Sequence, residues 1–273
     1  MSLLSYILLF TALGGVLSVL AAALFLLLPP SRRQKLLPHG ISFATGALLT
    51  GAFGGLLPHA FGEASADQIP GLSATILAGI LLFFTLEKLL IWRHCHAQDC
   101  QAHGEDAHVR SGPGHYAGVK EKPAGMFIII GDSLHNFVDG VLIAAAFLTD
   151  AELGMVTSLA VAAHEIPQEV GDFAILLHSG YSRSKAFLFN LLSSFATVAG
   201  GLLAYFGMAR LHAVLPYFLC VAASSFIYIA VADLIPTLHR ETDLKTSLLQ
   251  IVLILAGVAL ISGMQHWAHA MMQ

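Results

Sequence analysis

His135 and Asp139 stand four residues apart, and so do His164 and Gln168, and Glu165 and Glu169. In a helix this spacing puts both side chains of a pair on one face, one turn apart. Asp132, Asn136 and Asp139 form a neighbouring stripe at i, i+4 and i+7, and Asp172 lies about a turn beyond Glu169. Two such helices face to face would bring imidazoles, carboxylates and two amide oxygens to one point. A divalent cation is a partner that satisfies all of these groups at once. The mixed nitrogen and oxygen donors suit Zn²⁺, Fe²⁺, Mn²⁺ or Cd²⁺ better than Cu⁺, which prefers thiolate or thioether sulfur.

The segments that carry these groups are otherwise apolar. Of 273 residues, 56% are hydrophobic and only 11% charged, where a soluble domain is about 25% charged. With apolar runs of about 20 residues, the chain falls in the membrane class. Eight spanning helices are expected, over roughly residues 5–28, 40–61, 72–92, 124–148, 153–178, 187–208, 214–237 and 247–269. At 1.5 Å per residue, each crosses a hydrocarbon core of about 30 Å. The first run lacks the basic start and small-residue cleavage site of a signal peptide, so it reads as a span. Pro29-Pro30, Pro70-Gly71, Pro113-Gly114 and Gly180 mark connections. The segment TGALLTGAFGG, residues 45–55, has the small residues that permit close helix packing. The three cysteines give no disulfide framework.

Eleven of the thirteen lysines and arginines fall in the connections after helices 1, 3, 5 and 7. The positive-inside rule therefore puts those connections in the cytoplasm and both termini outside. Helices 1–3 and 6–8 then run in opposite senses, as an inverted repeat around helices 4 and 5 requires. The expected fold is all-α and polytopic, one transmembrane transporter domain over residues 1–273. Its long cytoplasmic connection, about 93–123, holds five histidines and two cysteines within 94–115. That composition can bind metal, but its spacings do not match a closed structural zinc site.

Helices 4 and 5 centre near residues 136 and 165, so both ligand clusters fall near the bilayer midplane. A charged group there costs about 2.5–3.5 kcal/mol on insertion scales. The bland alternative is a buried polar network joining two helices, but the density of ionisable groups favours metal. His135, Asn136, Asp139, His164, Glu165, Gln168 and Glu169 are the candidate ligands. Asp132 and Asp172 are candidates for holding a ligand or lining the path. His59 and Glu63, at the outer end of helix 2, would flank an extracellular mouth, or simply form a wet helix end.

The stretch HEIPQEVGD, residues 164–172, opens like the zinc-protease motif His-Glu-x-x-His, whose histidines ligate zinc and whose glutamate is the general base. Here Gln168 takes the place of the second histidine, and Pro167 lies inside the motif. A glutamine carbonyl gives weaker, more exchangeable ligation, which suits a site that must release its ion. Mid-helix, Pro167 also leaves the Ala163 carbonyl without its usual donor. Irregular backbone at this depth is tolerated where it is buried or lines a wet cavity.

Together, DSLHNFVDG and HEIPQEVGD resemble the signatures of the ZIP (Zrt/Irt-like) family of divalent-metal transporters, most nearly its LIV-1-type branch. The likeness extends to LLPHA at residues 56–60, the eight helices and the His-bearing connection, in the manner of a compact bacterial-type member. It implies a first metal site of His135, Asp139, His164, Glu165 and Gln168. It also implies an adjacent second site using Asn136, with Asp139 and Glu165 as bridges. Gln168 departs from the family's usual His or Glu, and helix 6 lacks the carboxylate that some binuclear members contribute. Elevator-like alternating access of a four-helix bundle is likewise implied by the resemblance.

The expected function is transport of Zn²⁺ and related ions into the cytoplasm, by a protein that is not an enzyme. Zinc is the transported substrate, and no organic cofactor is expected. The expected partners are divalent ions and the lipid bilayer, with a homodimer allowed and no nucleic acid. A bacterial inner membrane is the expected location. The alternatives are a membrane-embedded zinc-dependent hydrolase, which would need three firm ligands and a metal-bound water, and a metal-sensing receptor built on the 94–115 segment.

Overall fold

The computed structural model describes residues 2–62, 64–95, 122–208, 212–239 and 243–272. Eight long helices account for nearly all of them, and no strand occurs among the described residues. Helix α1 covers Leu3–Phe25. Helix α2 runs as Pro30–Thr50, Gly51–Leu56 and Leu57–Gly62 in one continuous rod. Then follow α3 (Ile69–Cys95), α4 (Lys122–Thr149), α5 (Ala151–His178) and α6 (Arg183–Met208). The last two are α7 (Leu215–Leu238) and α8 (Leu244–Met272). Three of the rods contain a π-helical stretch: Leu13–Leu17 in α1, Gly51–Leu56 in α2 and Ile229–Leu234 in α7.

Seven of the eight are long and apolar enough to cross a membrane, and the exception is α5. With 28 residues, α5 spans about 42 Å at 1.5 Å rise, ample for crossing. It falls short on composition alone, because it carries Glu152, His164, Glu165, Glu169 and Asp172. The chain is an all-α, polytopic membrane protein.

The helices overrun their expected bounds, most at α2, which begins at Pro30 instead of near residue 40. Hydrocarbon thickness sets the apolar length, but a helix continues into the headgroup zone while Arg32 and Lys35 stay exposed. Pro30 does not break the helix but starts it, since a proline at the first helical position has no intrahelical donor to lose.

The two helices that carry the ionisable residues are fixed at their junction and beyond. Only Asp150 separates α4 from α5. Its carboxylate accepts from the backbone N–H groups of Glu152 (2.7 Å) and Leu153 (3.3 Å), capping α5. At the far end Gly180 adopts φ +85°. Tyr181 N–H bonds the Leu176 carbonyl and Gly180 N–H the Leu177 carbonyl, both at 3.1 Å. This paired closure needs a residue that tolerates positive φ. The helix runs through Pro167 without interruption.

The rods can be taken as two four-helix groups, joined by a contact of α5 with α2 as extensive as those of α5 with α1 and α4. Helices α1, α4, α5 and α6 pack on one another, and α2 packs on α7 and α8 while α3 packs on α7. Between the groups, α5 meets α2 and α8, and α4 meets α7 and, more slightly, α3. Exchanging α1 with α6, α2 with α7, α3 with α8 and α4 with α5 maps these pairs onto one another, which is the pairing an inverted repeat requires.

Within each group one crossing brings two backbones together. A Cβ on Gly140 would run into the Thr197 carbonyl, and one on Gly200 into the Phe137 carbonyl, so α4 and α6 approach through reciprocal glycines. In the other group Gly46 and Gly257 do the same for α2 and α8, against the carbonyls of Ile254 and Phe43. Such overpacking costs about 1–3 kcal/mol. Gly140→Ala should therefore lower the unfolding temperature of the purified protein clearly. Gly207→Ala, where an added Cβ meets nothing within 4 Å, should leave it unchanged. Equal melting of the two variants in a thermal-shift assay would refute the backbone crossing.

Candidate metal centre

Helix α4 presents His135 and Asp139 one turn apart, and α5 presents His164 and Glu165 to the same point. The His135 and His164 Nε2 atoms lie 3.3 Å apart. His135 Nε2 is 3.7 Å from Asp139 Oδ2 and 3.4 Å from Glu165 Oε1. His164 Nε2 is 3.3 Å from Asp139 Oδ2 and 3.6 Å from Glu165 Oε1. All four ligand atoms fall within 4.8 Å of one another. Donors about 2.0–2.1 Å from a tetrahedral zinc lie roughly 3.3–3.4 Å from each other. Five of the six separations, 3.3 to 3.7 Å, are close to that spacing, and the sixth, between Asp139 and Glu165, is within 4.8 Å.

The surroundings leave these groups little other purpose. Asp139 is 0% exposed, Glu165 1% and His164 2%. Both oxygens of each carboxylate lack a hydrogen-bond partner. A buried polar atom left so costs about 1–3 kcal/mol, and more when charged. A divalent cation removes that penalty for both side chains together. His164 Nδ1 faces the Ala160 carbonyl at 3.2 Å. Donating there leaves the Nε2 lone pair free for a cation, the usual way a ligating imidazole is oriented. The ring of Phe226, from α7, stands edge-on to His164 with centroids 6.1 Å apart. The π-helical stretch of α2 brings Gly51 against Ala160 and Phe226, where a Cβ would lie 3.2 Å from each.

Asn136 and Glu169 turn toward α6. The Asn136 amide donates to the Asp132 carboxylate at 2.9 Å and the Asp132 carbonyl at 3.2 Å, and its oxygen accepts from the Thr197 hydroxyl at 2.7 Å. One lone pair on that oxygen is left for other use. Fully buried Glu169 accepts from the Ser194 hydroxyl through Oε1 at 3.4 Å, while Oε2 has no partner. Asp132, Glu169 and Asp172 lie within electrostatic reach of one another and of Glu165. They form a second carboxylate group one turn along each helix from the four-residue cluster. Gln168 sits half-buried one turn from His164. His59 turns its Nδ1 to the Gly55 carbonyl at 2.9 Å, near the end of α2. Glu63 and residues 96–121, most of the His-bearing connection, lie outside the described residues.

Thr197, Phe226 and Ala160 contribute to this centre without having drawn attention in the sequence. Thr197 had a signal: with Asn190, Ser193 and Ser194 it completes a polar stripe at i, i+3, i+4 and i+7 on an apolar helix. Phe226 and the Ala160 carbonyl had none.

Comparison with known proteins agrees with the geometry. The family model described as ZIP Zinc transporter matches residues 93–265. The chain is 33% identical to Zinc transporter ZIP13 of Mus musculus, covering 80% of this chain and 67% of that protein. It is 30% identical to Zinc transporter SLC39A7 of Rattus norvegicus, over 93% and 72%. It is also 30% identical to the Zinc transporter ZIP13 homolog of Drosophila melanogaster, over 93% and 88%.

The double variant Asp139→Asn, Glu165→Gln keeps the shape of the centre and removes its charge. Without metal it should melt no lower than the parent, since two uncompensated buried carboxylates are gone. The rise in unfolding temperature caused by Zn²⁺ or Cd²⁺ should disappear. A metal-induced rise of the parental size in the variant would show that the cation binds elsewhere.

Proposed function

This chain belongs to the ZIP zinc-transporter family, and we propose that it carries Zn²⁺ and similar divalent ions across the bilayer into the cytoplasm. The observation that carries this reading is the close cluster of His135, Asp139, His164 and Glu165, three of them buried, inside a membrane-spanning bundle. The relatives compared bear the name zinc transporter, which agrees with the donor chemistry. Membership in a family of transporters sets aside the hydrolase alternative.

All four ligands belong to one helix group, while Phe226 and Gly51, which wall the site, belong to the other. Movement of the first group against the second would carry the ion from one face to the other, and this division supports alternating access. With the basic connections inside, the ends of α4 and α5 that meet at Asp150 face outward. Asp132, Glu169 and Asp172 then lie on the cytoplasmic side of the cluster, where they offer an exiting cation its next oxygens. His59 would stand near the outer mouth. A second ion beside the first, held by Asn136 and bridged by Asp139 and Glu165, is supported by the unpartnered second oxygens of both carboxylates. Gln168, one turn from His164, would supply an exchangeable carbonyl. A bacterial cell membrane is the proposed location, set against relatives that are animal proteins.

Uptake of radiolabelled Zn²⁺ into proteoliposomes tests the reading. The parent should show saturable uptake, and His164→Ala and Glu165→Ala should each reduce it at least tenfold. A folded, zinc-binding parent that moves no ion, with or without a pH gradient, would overturn it.

A further inference from the structure

Beside the proline of α5, a groove of about 230 Å³ opens between the two helix groups. Phe25 of α1 and Ile166 and Pro167 of α5 form one wall; Leu36, Gly40 and Phe43 of α2 form the other. Its lining is apolar, and Gly40 leaves the space over the Pro167 ring, where a Cβ would stand 3.8 Å from Cγ. Apolar cavities of roughly 150 Å³ stay dry and take up hydrocarbon ligands. This one lies along membrane-spanning helices, so acyl chains are the phase around it.

The mouth of the groove is cationic. On α2, Arg33 precedes Leu36 by three residues and Gly40 by seven, so it continues the lining face by one turn. Its Nε is buried without a hydrogen-bond partner. Arg32 and Lys35 are exposed beside it. From Arg33 to Phe43 is ten residues, about 15 Å of helix. That is half of the ~30 Å hydrocarbon core, the depth of one leaflet.

We propose that the groove holds one acyl chain of an anionic phospholipid whose phosphate pairs with Arg33, flanked by Arg32 and Lys35. The chain lies along α2 with its far end at Phe43 and packs on Ile166 and Pro167, next to the ligands His164, Glu165 and Gln168. A lipid so placed touches both helix groups and holds them in the arrangement described here. The inference rests on the membrane embedding; only the assignment to the cytoplasmic leaflet depends on the proposed orientation.

Native mass spectrometry of the purified protein, titrated with phosphatidylglycerol or phosphatidylcholine, reads this without any transport step. The parent should retain phosphatidylglycerol more strongly. Arg33→Gln should weaken that retention about fivefold, the fold-change for ~1 kcal/mol per basic residue at a membrane surface, and weaken phosphatidylcholine less, since choline offsets the charge of the same phosphate. Gly40→Leu, which fills the groove, should weaken both lipids. The Zn²⁺-induced rise in unfolding temperature certifies folding of each variant; if Gly40→Leu lacks it, Arg33→Gln decides alone. Parental phosphatidylglycerol retention in folded Arg33→Gln would overturn the proposal, and so would equal retention of the two lipids by the parent.

Discussion

Two carboxylates, Asp139 and Glu165, are buried in a bundle with no hydrogen-bond donor for any of their four oxygens, and two imidazole nitrogens are their nearest polar neighbours. The rest of the structure answers to that constraint. A pair of buried negative charges is tolerated only with compensating charge nearby. A divalent cation supplies it while leaving the imidazoles neutral, as ligands must be. The Asp150 cap and the Gly180 closure fix both ends of α5, and the Ala160 carbonyl fixes the His164 ring. The donors are therefore set before any ion arrives, which lowers the ordering cost of binding it.

Glycine placement sets how closely the helices around that site approach. The α4–α6 and α2–α8 crossings are backbone against backbone, with no room for a methyl group. At the contact of α2 with α5 and α7, Gly51 meets side-chain atoms of Ala160 and Phe226 instead. Carbonyl-to-glycine contacts have one close arrangement, whereas side chains can repack at modest cost. The α4–α6 and α2–α8 contacts therefore leave less room for repacking than the contact of Gly51 with Ala160 and Phe226.

Much of this was legible in the sequence because the membrane enforces simple rules. Apolar length counted the helices, and spacing at i, i+4 put His135 with Asp139 on one face. The gaps have physical reasons. Helix bounds slipped at α2 because the apolar span ends where hydrocarbon ends, while hydrogen bonding continues past Pro30. The π-helical stretch at Gly51–Leu56 leaves no mark beyond its glycines. Asn136 reads as a candidate ligand by spacing; that its amide oxygen also accepts from Thr197 depends on a helix contact that one-dimensional pattern cannot show. The same limit hid Phe226, an apolar residue among many, whose position against His164 exists only once α7 has docked.

The deficit of apolar character in α5 has a consequence at the ribosome. A segment with His164, Glu165, Glu169 and Asp172 along it partitions poorly into lipid by itself. Helix α4, emerging just before and joined through one residue, offers Asn136 and His135; α6, emerging just after, offers Asn190 and Ser194. Integration of α5 is then a joint event, with the helical hairpin of α4 and α5 entering together and the polar stripe of α6 closing over it. The burial that makes the centre useful in the finished protein also dictates the order in which the nascent chain can be laid into the bilayer.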